Sequence, residues 1–296
     1  AKHLLGKDID IDNDGYKIKP AEDFYNTVSG RVRGEIKDAR FLYDENIDIA
    51  KELFDKRHSL SDAERLEKAE TWLRKKVYSY RVPYDFFIRK LEQTKNDKYI
   101  TSPVFWHSQK DLFNFAFLIR NVKYENKKLP VVIALWENGT KAISEHEAWI
   151  EHKCAEGYEV MVLDVSGEGY ISVDDINAKG KKAKYGTMYK LCCDLLYMND
   201  SMTALRSYDV LRAIDMLGEV YGLEESEITL YCESKYGVYG VIAAFLNKNV
   251  GVEYGNGLPI SVYDNYIKPF VQNYCDELSV ILPEMLGYFD YNEIMR

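Results

Sequence analysis

The chain has 296 residues, which is enough for one large α/β domain or two ordinary ones. An apolar fraction of 46% beside a charged fraction of 29% is typical of a protein with a hydrophobic core. The net charge of −9 argues against nucleic acid or an anionic membrane as a partner, because either would favour a basic surface. No apolar run approaches the roughly 20 residues that cross a bilayer. We therefore expect a soluble protein, secreted or cytoplasmic.

Residues 1–110 are predicted to form a polar N-terminal segment followed by a helical lead-in. Residues 8–23 are acidic and polar, which is typical of a surface loop. Helical periodicity then predicts helices over Asn46–Phe54 and Ser61–Val77, the second of which begins with a capping box. A further helix is predicted over Tyr84–Glu92.

From residue 111 the pattern changes to apolar strands that alternate with helices. Strands are predicted over Phe113–Val122, Val131–Trp136 and Glu159–Val165. Helices are predicted over Ser144–Ala155, Thr187–Met198 and Met202–Leu217. This alternation indicates βαβ units, so the fold class is α/β, with a mostly parallel sheet flanked by helices.

The segment Ile228–Phe245 is predicted to form a buried strand, a sharp turn that carries Ser234, and an apolar helix. That order is the layout of a nucleophile elbow. The usual flanking glycines are replaced by Cys232 and Tyr236, and we expect Gly237 and Gly240 to allow close helix packing instead. A serine nucleophile needs a base, yet every histidine precedes Ser234: His3, His58, His107, His146 and His152.

Together with these elements, the segment SMTALRSYDVLRAIDMLGEV before the elbow strand resembles the α/β-hydrolase superfamily, and specifically the acetyl-xylan-esterase-like and related carbohydrate esterases. The resemblance covers about Leu112 to Met295. It implies that Ser234 is the nucleophile. It also implies that Lys235 and a residue of the loop after the strand Val131–Trp136, Glu137 or Asn138, offer backbone N–H groups to an oxyanion. It implies no cofactor and no metal. The implied ligand is an acylated carbohydrate or a small ester.

The end of the chain departs from that family. In the superfamily, strands after the elbow carry first an acid and then the histidine. Here a strand predicted over Val250–Tyr254 is followed by residues with mainly helical patterns. The available acids in this part of the sequence are Asp264, Asp276 and Asp290. Residues 111–296 are therefore predicted to be an α/β-hydrolase-like domain that lacks the last strands. The carboxylate of Glu137 also opposes an oxyanion, because it places negative charge beside it.

Three explanations for the missing histidine stay open. The segment ends before the strands that carry it, the domain is naturally degenerate, or His107 or His146 is recruited. Two function classes follow. The first is a carbohydrate-esterase-like protein with an incomplete, degenerate serine site. The second is an active serine carboxylester hydrolase that forms an acyl-enzyme at Ser234.

Two weaker patterns lie near the N-terminus. The opening residues AKHLLG resemble the end of a final α/β-hydrolase helix, which predicts that Ala1–Gly6 is the tail of a preceding hydrolase domain. Asp10, Asp12 and Asp14 resemble the start of an EF-hand calcium loop. The twelfth position of that loop is Ala21 rather than a glutamate, so an acidic solvated turn is the favoured interpretation.

Overall fold

The computed structural model describes Gly6 and residues 18–174, 185–269 and 278–296. The chain folds as two units, residues 1–46 and residues 47–296. The calcium pattern at Asp10, Asp12 and Asp14 lies outside the described residues, and so does Ala1–Gly6 except for its last residue. In the first unit, the Arg33 guanidinium lies 4.5 Å from the centre of the Tyr43 ring.

Eight strands form one sheet. They are β1 (Arg89–Lys90), β2 (Thr94–Lys95), β3 (Tyr99–Gln109), β4 (Leu112–Asn121), β5 (Val131–Leu135), β6 (Glu159–Asp164), β7 (Ile228–Cys232) and β8 (Gly251–Tyr254). Their order across the sheet is β1-β3-β4-β6-β5-β7-β8, with β2 paired to β3. All eight strands, from β1 to β8, are thus part of the same sheet.

The sheet is mixed, and its parallel part lies at one end. β6, β5, β7 and β8 run parallel to their neighbours within this group, whereas β4 pairs antiparallel with β6 and with β3. The turn at Lys110–Asp111 joins β3 directly to β4, and a connection of two residues allows only an antiparallel pair. Asp111 adopts the positive φ of 64° that such a tight turn requires.

Helices cover both faces of the sheet. They are α1 (Leu42–His58), α2 (Asp62–Tyr78), α3 (Glu147–Glu156), α4 (Thr187–Tyr197), α5 (Met202–Tyr221), α6 (Val238–Leu246) and the short α7 (Tyr291–Ile294). In the part of the chain that the structure describes, none of the helices is long and apolar enough to cross a bilayer.

The two faces of the sheet bury cores of different size. The larger core contains α2, α5 and α6 against β5 and β7, with Leu73, Met216 and Ile242 fully buried. The smaller core lies under α3 on the opposite face and includes Trp136 and Ile150. α5 is buried along most of its length, because its apolar residues recur on more than one face.

Two elements differ from the sequence prediction. The helix predicted over Tyr84–Glu92 is wrong, because this segment is extended and contains β1. The Phe86 carbonyl accepts the His107 N–H and the Tyr84 carbonyl accepts from Arg212, so tertiary hydrogen bonds override the local helical pattern. β3 was not predicted, and the predicted boundary at residue 110 falls within the β3–β4 hairpin.

Candidate functional site

The elbow at Ser234 has the backbone geometry of a strained strand-to-helix turn. β7 ends at Cys232, Ser234 adopts φ 59° and ψ −173°, and one 3₁₀ turn, Lys235–Gly237, leads into α6. A positive φ is sterically costly for a serine and persists only where the surrounding structure imposes it. The predicted turn is therefore present.

Gly237 and Gly240 allow the elbow helix to approach β7 closely. A Cβ atom on Gly237 would lie 2.8 Å from the Cys232 carbonyl carbon. A Cβ on Gly240 would lie 2.4 Å from Cys232 Sγ and 2.6 Å from Leu135 Cδ1. All three distances are shorter than real Cβ contacts, so a side chain at either position would force neighbouring atoms to shift. The expectation that these glycines allow close helix packing is confirmed.

The Ser234 hydroxyl accepts backbone hydrogen bonds. The Glu137 N–H lies 3.0 Å from Ser234 Oγ, and the Tyr236 N–H lies 3.4 Å from it. The Ser234 N–H itself donates to the Asn256 carbonyl at 2.7 Å, in the loop that follows β8. The elbow is thus bound to the loops after both strands that flank β7.

The two predicted oxyanion donors lie beside the elbow. Lys235 is the first residue of the 3₁₀ turn, and its Nζ lies 3.2 Å from a carboxylate oxygen of Glu137. Asn138 is in the left-handed region, with φ 65°, and its carbonyl accepts the Lys141 N–H. The backbone N–H that reaches Ser234 Oγ belongs to Glu137 rather than to Asn138. The oxyanion roles of Lys235 and Asn138 stay predictions.

The two histidines considered as a recruited base lie at very different places. β3, which carries His107, is four strand positions from β7, or about 19 Å at the usual strand spacing. His107 packs among aromatic rings, with Phe113 at 4.2 Å. His146 lies near the elbow: its Nδ1 is 3.7 Å from a carboxylate oxygen of Glu233, the residue before Ser234. Its ring stacks on Trp136.

The acids after the elbow have different surroundings. Asp290 is buried and accepts hydrogen bonds from the Ser261 hydroxyl and the Val262 N–H, at 2.8 Å and 2.7 Å. Asp264 is exposed and pairs with Lys268. Asp276 lies outside the described residues. Asp290 is therefore held as a structural acceptor rather than as a partner of a histidine.

The end of β6 and the loop after it carry polar residues that the sequence analysis missed. Asp164 is fully buried and accepts the N–H groups of Thr140 and Tyr170 at 2.7 Å and 2.8 Å, and also the Thr140 hydroxyl. Gly139 and Gly169 approach this carboxylate so closely that a Cβ on either would overlap it. Burial raises the pKa of Asp164 to about 6, although the three hydrogen bonds lower it. Asp164 thus ties the loop after β5 to the loop after β6.

Arg206 of α5 is a fully buried cation beside the same loop. It donates to the Ser166 carbonyl at 2.9 Å, to the Tyr239 hydroxyl at 2.8 Å and to the Glu168 carboxylate at 2.6 Å. Asp209, also fully buried, accepts the Ser166 N–H at 2.8 Å, and burial raises the pKa of its carboxyl group. These residues are called the β6-loop cluster below: Asp164, Ser166, Glu168, Arg206, Asp209 and Tyr239.

The described residues contain no group of three or more His, Cys, Asp or Glu side chains that could hold a metal ion. His152, the other histidine of the α3 region, pairs with Glu156 at 3.4 Å on an exposed surface.

Comparisons with known proteins identify the fold. No family model and no curated protein matches this chain. Among solved structures, a presumed acetyl xylan esterase from Bacteroides fragilis is similar with a TM-score of 0.66 and 12% identity, over 87% of this chain and 73% of that one. An acetyl xylan esterase from Paenibacillus sp. R4 has 14% identity over 87% of this chain and 76% of that one, with a TM-score of 0.48. At these identities the likeness concerns the fold, and the first structure carries the argument. The chain has an α/β-hydrolase-like fold similar to that of an acetyl-xylan-esterase-type structure.

Proposed function

We propose that this chain is a carbohydrate-esterase-like α/β-hydrolase-fold protein whose serine site does not turn over esters. The proposal concerns the hydrolase-like part of the chain, predicted as residues 111–296. The observation that carries it is that Ser234 Oγ accepts the Glu137 and Tyr236 N–H groups. The elbow is then a structural connection between β5 and β7 rather than a nucleophile.

The physical argument compares this hydrogen-bond pattern with the requirements of acyl transfer. In a working site the serine hydroxyl gives its proton to a base, and preorganised donors point to where the substrate oxyanion develops. Here the loop donor, Glu137 N–H, is directed at the hydroxyl itself. The Glu137 carboxylate lies beside the same backbone and disfavours a second negative charge. The donors therefore stabilise the ground-state turn.

The test is the turnover of p-nitrophenyl acetate by the wild-type chain and by Ser234→Ala. We expect equal rates, because an unactivated serine is a weak nucleophile. A fluorophosphonate probe should leave Ser234 unlabelled, as read by peptide mass spectrometry. A rate that falls at least tenfold in the variant, together with labelling of Ser234, would show that the serine is catalytic.

The second candidate function is an active serine carboxylester hydrolase with a recruited base. The specific observation in its favour is the 3.7 Å approach of His146 Nδ1 to the Glu233 carboxylate, one residue before Ser234. A carboxylate that orients an imidazole is part of the Ser-His-Asp triad. In this case His146→Ala and Ser234→Ala would lower the rate equally, whereas His152→Ala, an exposed histidine, would leave it unchanged.

A further inference from the structure

One face of the β3–β4 hairpin is built mainly from aromatic side chains. In the register of the two strands, His107 pairs with Phe113 and Phe105 pairs with Phe115, and Phe117 follows on the same face of β4. Directly paired residues point to the same side of a sheet, so their rings lie close together. The ring centres of Phe105 and Phe113 are 4.6 Å apart, and those of His107 and Phe113 are 4.2 Å apart. We call this surface the aromatic face.

Exposed rings extend the aromatic face on both sides. The ring centres of Tyr84 and Phe87, from the extended segment that contains β1, lie 5.4 Å and 5.9 Å from that of His107. On the other side, the Tyr170 ring lies 5.7 Å from that of Phe115. Phe87 is 56% exposed and Tyr170 is 63% exposed. The aromatic face is therefore a continuous apolar surface that water reaches.

The exposed aromatic area is large for a single chain. Tyr84 and Phe113 are 38% and 37% exposed. Because an aromatic side chain buries roughly 150–250 Å², these two leave, together with Phe87 and Tyr170, on the order of 400 Å² of surface in water. A standard interface buries roughly 800 Å² per partner, of which about 65% is apolar in homodimers. The aromatic face thus supplies most of the apolar area that one side of such an interface needs.

Phe87 combines its exposure with a strained backbone. Its φ is 43°, a region that is sterically costly for a bulky side chain. Strain of this kind is typical of positions that serve a function. Within one chain, the exposed ring buries too little apolar area to offset much of this cost, whereas burial against a partner would offset more of it.

The charges favour a second copy of this chain as that partner. The segments Thr101–His107 and Phe113–Ile119 contain no Asp, Glu, Lys or Arg. Because the chain carries a net charge of −9, two copies repel each other least where they meet at uncharged faces. At the exposed tip of the hairpin, Lys110 and Asp111 carry opposite charges. A copy related by a twofold axis can therefore offer each of them an opposite charge.

We propose that the aromatic face is the interface of a homodimer, in which two copies of this chain pack these faces together about a twofold axis. Phe87, Phe113 and Tyr170 are its anchors, because buried aromatic residues carry much of the binding energy of an interface. Each anchor contributes twice, since both copies present the same surface. The interface does not depend on Ser234, because β4 and β7 are three positions apart in the sheet.

The test is the mass of the whole chain in solution, measured by sedimentation velocity between about 1 and 100 µM, a range that covers a micromolar dissociation constant. We expect a mass near twice 34.4 kDa at the upper end of this range. Phe87→Ser and Tyr170→Ser should each raise the dissociation constant at least about tenfold. Tyr197→Ser is the matched control, because Tyr197 is 90% exposed at the end of α4, outside the aromatic face.

Hydrogen exchange of the wild type locates the interface. Peptides that cover residues 83–88 and 167–172 should exchange faster when the dimer is diluted to monomer, because their amides then become accessible to water. A monomer at about 100 µM would overturn the proposal, since the face then has a different partner. A dimer whose dissociation constant stays the same in both serine variants would overturn it as well, because the two copies then meet at another surface.

Discussion

The elbow and the β6-loop cluster lie at the same end of the sheet, but their polar groups differ in burial and in hydrogen-bond partners. At the elbow, Ser234 is half-buried, and its hydroxyl has two backbone donors. In the cluster, Asp164, Arg206 and Asp209 are fully buried. Asp164 and Arg206 each have partners on more than one element or loop, and Asp209 accepts the Ser166 N–H.

The difference shows that the conformation of the elbow and the stability of the buried charges have different requirements. A turn defined by backbone geometry and by glycine packing persists without catalytic partners, because nothing in its conformation needs a base. A buried charge cannot persist without partners, because an unpaired charge in the interior is strongly destabilising. The cluster should therefore dominate the stability of the loops, and the elbow should contribute less. Four substitutions test this order.

Arg206→Met is expected to have the largest effect. It removes the cation but keeps most of the side-chain volume, so it leaves Glu168 without its partner and the Ser166 carbonyl and Tyr239 hydroxyl without a donor. Breaking a buried ion pair in this way costs about 3–5 kcal/mol. Urea unfolding followed by circular dichroism measures the loss.

Lys190→Met is the control for that variant, because Lys190 is exposed and its pair with Asp194 is a surface pair. Its effect should stay below about 0.5 kcal/mol. If both variants lose the same small amount of stability, the cluster does not hold the loops, and the comparison fails.

Asp164→Asn tests the pH dependence of the cluster. The folded-state pKa of about 6 lies above the ordinary value of 3.8, so the folded state binds more protons between these values. The stabilising contribution of this carboxyl is complete below about pH 4 and is lost as the pH rises through 6. Because asparagine does not titrate, the wild type should lose about 3 kcal/mol relative to the variant between pH 4 and pH 7.

Denaturant midpoints of both proteins at several pH values measure this difference, in which the other titrating groups cancel. A difference that does not change with pH would show that Asp164 has an ordinary pKa.

Gly240→Ala tests how closely the elbow helix is packed. The added Cβ would lie 2.4 Å from Cys232 Sγ, so α6 or β7 must shift, at a cost of about 1–3 kcal/mol. The matched control is Gly218→Ala in α5, where the nearest atom, the Leu223 carbonyl oxygen, is 3.5 Å away. That variant should gain up to about 1 kcal/mol, because alanine favours the helix. Equal melting temperatures for the two variants would contradict the close packing.

The sequence predicts the parts of this fold that local patterns control. Val131–Trp136 and Glu159–Val165 are short apolar runs that match β5 and β6 within one residue, and the elbow follows from strand, turn and helix signals alone. β3 escaped prediction because Pro103 lies inside it, and a proline within a run of residues argues against a strand interior. The Tyr84–Glu92 segment has helical periodicity, but hydrogen bonds from distant residues keep it extended.

The site is predictable to a smaller degree. Ser234 could be found, since its turn has a local signature. The loop that reaches it, Glu137–Asn138, could also be predicted. Which of its two N–H groups contacts the hydroxyl could not be predicted, because that depends on the register of β5 against β7, where Leu135 pairs with Cys232. The cluster around Arg206 could not be predicted either. A single arginine in an apolar helix does not indicate, from its neighbours in the sequence, which residues it will contact.

Ser234→Ala should have the smallest effect, and it separates a structural serine from a catalytic one. Removing the hydroxyl leaves the Glu137 and Tyr236 N–H groups to water, at a cost of about 1 kcal/mol, and the strained φ of 59° remains. Ser144→Ala, at an exposed serine, should change stability by less than about 0.5 kcal/mol. Both variants are compared by urea unfolding and by hydrolysis of p-nitrophenyl acetate. A structural serine predicts lower stability with unchanged hydrolysis. Unchanged stability with lost hydrolysis would instead mean that the elbow still performs chemistry.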